Sequence, residues 1–199
     1  MHEEIDFVHT AAATRQEVIT LEANRIYNFN PGPAMQPLEV LKEAQAEFLN
    51  FHDSGMSIIE ISHRAKQYDE VHQQAKTDIK ELMGLGDDYE VLFIQGGAST
   101  EFAMIPMNFA TDGKIGNYVL SGSFATKAYQ EAELLGVGHI AASSKDKNFR
   151  HIPKQDEIIL SDNAAYLHIC YNNTIFGTEY HYIPETGNVP LIADMSSDM

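Results

Sequence analysis

The stretch VLFIQGGASTEFAMIPMNF, Val91 to Phe109, joins a short apolar run to a mostly apolar helical stretch through two adjacent glycines. That junction restricts the fold more than any other feature. A strand that passes directly into a packed helix is the building unit of an α/β domain. The turn leaves the first backbone N–H groups of the helix without partners. Glycines let a ligand approach those groups closely, and the helix dipole favours a negative one. Ser99 and Thr100 add hydroxyls suited to an N-cap. The segment has neither the Gly-Lys-Ser/Thr of a P-loop nor a dinucleotide-binding pattern. It reads with equal weight as an anion cup or as a plain capped turn.

The rest of the chain repeats the strand–helix alternation. Residues 25–29 (RIYNF) are expected to form a short strand running into the loop Asn30-Pro31-Gly32-Pro33, with Pro37 as the first residue of a helix to about Asn50. Tyr68, Val71, Ala75, Ile79 and Leu82 recur at helical spacing, and Gly84 stops that helix. Strands are expected over 89–95, 117–120, 166–171 and 191–194, helices over 100–109 and 125–135, and a short element over 157–160. The loose pattern Gly136-Val137-Gly138-His139-Ile140-Ala141 follows a helix, so it reads as a helix end entering the next strand. The fold class is therefore α/β, with a mostly parallel sheet flanked by helices. Residues 1–24 read as an N-terminal extension. The strand ending at Asp194 lies only five residues before Met199, so the domain is expected to be incomplete at its C-terminus.

Composition narrows the function. The 199 residues are 44% apolar and carry a formal charge of −16. Such a chain repels nucleic-acid phosphates and anionic membranes. Cys170 is the single cysteine, so no internal disulfide can form. There is no membrane-length apolar run and no basic-then-apolar start, which points to a cytoplasmic protein. No histidine pair has zinc-ligand spacing, so no metal site is expected.

Four further clusters carry chemistry. Arg64, beside His63, could grip a carboxylate or phosphate in a two-pronged bond, or pair with one of the many surface acids. Asn172-Asn173-Thr174 places two amides and a hydroxyl after the 166–171 strand. Asp194 ends the last strand as a ligand partner or as a turn-initiating residue. Together with the glycine turn, these groups fall at the carboxyl edge of the sheet, where open α/β sheets bind ligands. A phosphate cup and a carboxylate on one edge suit pyridoxal phosphate, whose phosphate needs a helix start and whose ring nitrogen needs an acid.

The stretches YNFNPGPA (27–34), GMSIIEISHRAKQYDEV (55–71), LFIQGGASTEFAMIPMNF (92–109), NYVLSGSFATKAYQEAELLG (117–136), YNNTIFGTEY (171–180) and ADMSSDM (193–199) resemble, in this order, the phosphoserine aminotransferase family. These are class V pyridoxal-phosphate enzymes of fold type I. The resemblance covers about Ile26 to Met199. It implies that 25–199 is the N-terminal part of the cofactor-binding large domain, without the remainder of that domain or the small domain. It implies pyridoxal 5'-phosphate held at its phosphate by the backbone of Ala98 and Ser99, stacked by Phe124, touched by Thr174 and paired at its ring nitrogen with Asp194. Arg64 and His63 would bind substrate. Phe124 stands where the family usually has Trp, a smaller stacking face without an N–H donor.

The resemblance further implies amino transfer between glutamate and the phosphorylated 2-oxo acid 3-phosphohydroxypyruvate in serine biosynthesis, by a homodimer. Whether phosphohydroxythreonine of pyridoxine biosynthesis is also a substrate stays open. The Schiff-base lysine of the family lies beyond Met199, so no catalytic residue is assigned within the chain, and the 199 residues alone are expected not to turn over. The alternative is a truncated, non-catalytic cofactor-binding or interaction module of the same fold. Another class V activity, such as cysteine desulfuration or alanine–glyoxylate transfer, fits the NFNPGPA and SHR stretches less well.

Overall fold

The structure is a computed structural model that describes residues 25–30, 32 and 34–199. The expected extension over 1–24 lies outside the described residues. The chain divides into two compact units, Met1–Val91 and Leu92–Met199.

In the first unit, 25–30 forms no strand. Side chains tie this stretch to the following turn instead: Arg25 donates to the Gln36 carbonyl at 2.9 Å and the Asn28 amide to the Ala34 carbonyl at 3.2 Å. Helix α1 (Leu38–Glu47) starts after Pro37, which is the extended N-cap residue and not the first helical one. Its end at Glu47 falls short of the expected Asn50. Two short 3-10 turns, Phe51–Asp53 and Ile58–Glu60, occupy the expected loop. Helix α2 (Lys66–Met83) ends as its sequence predicts. Gly84 takes the left-handed conformation, with φ 65°, and its N–H bonds back to the last turn.

The second unit is built on a parallel four-stranded sheet of order β2-β1-β3-β6, with β1 Ile115–Leu120, β2 Gly138–Ser143, β3 Ala164–Cys170 and β6 Leu191–Asp194. Helices α3 (Gly97–Phe109) and α4 (Ser123–Leu134) supply one apolar layer. Phe102, Ala128 and Ala132 pack there with Tyr118, Leu120 and Tyr166. The other sheet face packs Val119, Leu167 and Ile169 against Tyr180, with Ile152, Ile158 and Leu160 at its margin. Parallel strands covered on both faces read as largely apolar runs, which is how β1 and β3 look in the sequence apart from Asn117 and His168. A two-residue hairpin, β4 (Asn172–Asn173) with β5 (Thr178–Glu179), follows β3. No described helix is long and apolar enough to cross a membrane.

Two further expectations differ from the structure. Residues 89–95 are not assigned to a strand, and no described strand pairs with them. Their apolar run satisfies the pattern, but a strand also needs a neighbour for its backbone groups. The short element expected over 157–160 appears earlier, as a 3-10 turn at Gln155–Glu157.

The centre of the sheet admits no extra atoms. The hydroxyls of Tyr118 and Tyr166 meet at 2.5 Å in the core, and both rings are fully buried. Gly116 on β1 lies against them, and a Cβ there would land within the van der Waals shell of the Tyr166 hydroxyl and ring. Gly116→Ala is therefore expected to cost about 2 kcal/mol, as overpacked cores do. A urea unfolding curve checks this, and an unchanged midpoint would contradict the packing described.

Candidate active site

Helix α3 begins three residues earlier than its apolar pattern predicts, because both glycines belong to its start. Gly96 is the N-cap in the left-handed region, with φ 97°, and no side chain caps the helix. Thr100 does not cap an N–H: its hydroxyl donates to the Gly96 carbonyl at 3.1 Å. A side chain at Gly96 would collide with Thr100 as well as being strained by that φ. The first-turn amides of α3, those of Gly97, Ala98 and Ser99, therefore keep their hydrogen-bonding capacity.

The register of β3 with β6 sets Cys170 directly opposite Asp194. The Cys170 thiol donates to Asp194 Oδ2 at 3.2 Å. Asp194 Oδ1 accepts the Ser196 hydroxyl at 2.6 Å and the Ser196 N–H at 3.2 Å. Burial, and then the Asp194 charge, push the Cys170 thiol far above its ordinary pKa, so it stays protonated as a donor.

The start of α3 and the end of β6 meet at one cavity of about 610 Å³. Gly97, Ala98, Glu101 and Phe102 line it from the helix, and Leu191 through Ser196 from the strand and its exit. The structure thus brings together two of the residues singled out from sequence, Ala98 and Asp194. No Lys or Arg is among the lining residues, so the backbone amides and the helix dipole are the positive contribution to this wall.

The other sequence-predicted residues fall elsewhere. Ser99 is exposed in the first turn of α3. Phe124 is the second residue of α4, partly exposed, with the Lys127 ammonium 5.4 Å from its ring centre. Thr174 is exposed in the turn between β4 and β5. Its neighbour Asn173 is buried and bonds Ser121 and Thr178, so that amide serves to tie the ends of β1 and β3 together. His63 and Arg64 are exposed in the turn before α2, in the first unit, and the Arg64 N–H bonds the Ser62 hydroxyl at 3.2 Å.

Sequence reasoning missed His168, Cys170 and Ser196. Period-two alternation along β3 puts His168 and Cys170 on one face, but only the register shows that this face meets Asp194. His168 lines the cavity yet is 1% exposed, and neither ring nitrogen has a hydrogen-bond partner. The Phe102 edge and the Tyr118 ring flank it, at 5.9 and 5.2 Å between centroids. Burial pushes its pKa down to about 4, against a smaller upward pull from Asp194.

A sheet of parallel strands with an anion-ready helix start and an acid at its carboxyl edge is a frame on which α/β proteins hold an anionic ligand. Residues 26–198 match the family Aminotransferase class-V, and the chain belongs to it. It is 55% identical to the phosphoserine aminotransferase of Niallia circulans, over 89% of this chain and 49% of that protein. It is 57% identical to the one from Desulfatibacillum aliphaticivorans, over 88% and 48%. The solved phosphoserine aminotransferase from Bacillus circulans subsp. alkalophilus superposes with a TM-score of 0.83, at 56% identity, over 88% of this chain and 48% of that one. The PLP-bound enzyme from Trichomonas vaginalis does so with a TM-score of 0.81 at 40% identity, over 88% and 52%. The chain spans about half the length of these relatives.

The neutral His168 links stability to pH. Its folded pKa, about 4, lies below the ordinary 6.5. The unfolded chain therefore binds more protons between those values, and stability falls as pH drops from 6.5 to 4. The loss assigned to this one ring is about 3 kcal/mol. Urea unfolding at pH 7 and pH 4 should show that loss in the wild type and its absence in His168→Leu. Equal pH dependence in the two proteins would contradict a buried neutral ring.

Proposed function

We propose that the complete protein carrying this sequence is a phosphoserine aminotransferase that uses pyridoxal 5'-phosphate to move an amino group between glutamate and 3-phosphohydroxypyruvate. The observation that carries this reading is the single cavity lined by both the uncapped start of α3 and the Asp194 carboxylate. The similarity to phosphoserine aminotransferases over 88–89% of the chain supports it. Residues 25–199 then belong to the cofactor-binding large domain.

The residues present fit the cofactor. The Ala98 and Ser99 amides offer a phosphate the donors that no side chain of the helix takes up. A carboxylate has about four acceptor positions, and three on Asp194 are filled, which leaves one for a ring N–H. When bound, pyridoxal phosphate supplies an electron-withdrawing ring that accepts the electron pair left when the substrate loses its Cα proton. Asp194 holds the proton on the ring nitrogen. Phe124 covers a ring face, and Thr174 contacts the ring hydroxyl or the phosphate. Arg64, with His63, binds the carboxylate or phosphate of the substrate, a task suited to a planar fork of donors. The same reading makes the complete protein a cytoplasmic homodimer of serine biosynthesis, with phosphohydroxythreonine as the second substrate to assay.

The test compares amino transfer to 2-oxoglutarate from phosphoserine, alanine and cysteine by the complete protein. Phosphoserine should be preferred at least about tenfold in kcat/KM, since a substrate without a phosphate leaves the two-pronged bonds of the guanidinium unmade. Equal or faster transfer from alanine would remove the phosphoserine assignment. Asp194→Ala should lower kcat about a hundredfold or more, the scale of losing a charge aimed at the reacting system. Unchanged kcat in that variant would remove Asp194 from its role.

A further inference from the structure

We propose that Cys170 is a positioning residue for Asp194, its thiol holding the carboxylate in the one orientation that leaves an acceptor position open toward the cavity. The inference rests on the cofactor reading above and deepens it.

Three observations converge. The β3–β6 register sets Cys170 opposite Asp194, and the backbones are tied at the same place by Tyr171 N–H donating to the Asp194 carbonyl at 3.0 Å. The two carboxylate oxygens have different partners: Cys170 takes Oδ2, while Ser196 takes Oδ1 twice. Ser196 is two residues along the same exposed turn, so its grip moves with Asp194. Cys170 is 1% exposed on a strand paired at both edges, so its grip is anchored to the sheet. A carboxylate bonded only by its own turn is free to swing with it. One also bonded from the core is not.

The residue type suits the role. A thiol is a donor that also behaves as a small apolar group, so it can sit in the core where a charged or strongly polar donor would be costly. Held protonated, it neither competes with Asp194 for charge nor acts as a nucleophile.

The first measurement needs no cofactor. Cys170 is the single cysteine of the sequence, so its S–H stretching band is unique in the infrared spectrum. The band should lie at the lower frequency of a hydrogen-bonded thiol and rise to the free-thiol position in Asp194→Ala. A band at the free-thiol position in the wild type overturns the proposal.

The second measurement uses the complete protein loaded with pyridoxal phosphate carrying 15N in its ring. Cys170→Ala should move the ring-nitrogen resonance toward that of unprotonated pyridine and weaken cofactor binding about tenfold, the scale of one hydrogen bond to a charged group. Cys170→Ser, which keeps a donor, should restore both. A merely structural role predicts no movement of the resonance, or the same movement in both variants, and either result overturns the proposal. Wild-type protein that takes up no pyridoxal phosphate overturns the cofactor reading and this inference with it. Normal uptake with an unmoved resonance in Cys170→Ala overturns this inference alone.

Discussion

Strand β3 is hydrogen-bonded along both edges, to β1 on one side and β6 on the other, and the second unit depends on that double pairing. It buries Tyr166, His168 and Cys170 toward the helices and Leu167 and Ile169 toward the opposite face. Because the pairing is parallel, the carboxyl ends of all four strands emerge on one edge, and the polar groups at those ends and in the turns that follow them are collected there. A slip of one residue between β3 and β6 would turn Cys170 away from Asp194 and expose the apolar set.

The cavity wall meets an electrostatic problem without basic side chains. The chain carries an excess of acids, and the cavity itself includes Glu101 and Asp194. Positive character comes from the backbone at the start of α3, where Gly96 turns the chain through a conformation that side chains resist and no hydroxyl occupies the amides. The arrangement separates roles by element: backbone donors of α3 suit an anion, and the partly saturated carboxylate at the end of β6 suits a cationic N–H.

His168 is a buried polar side chain in this wall with no partner for either nitrogen. Its cost is limited because the ring stays neutral between two aromatic neighbours. A neutral, unpartnered imidazole beneath an acid is a conflict between local chemistry and burial, and such conflicts gather at functional edges.

The sequence alone determined the alternation of strands and helices, the end of α2 at Gly84, and the identity of Ala98 and Asp194 as members of one edge. Each follows from short-range rules: apolar period, the freedom of glycine, and the order of elements in a parallel sheet. It overstated the strands at 25–29 and 89–95, because an apolar run says nothing about whether a neighbour is present to complete the ladder. Only the tertiary structure decided that α3 starts at its glycines with Thr100 bonded backward, that His168 stands unpartnered in the cavity wall, and that Cys170 and Ser196 divide the oxygens of Asp194. The place of His168 and the Cys170–Asp194 bond depend on register between segments more than twenty residues apart, and register is set by packing of the whole sheet, which no local pattern encodes. The Thr100 and Ser196 bonds are local, but which backbone or carboxylate oxygen each takes follows from how its turn is held.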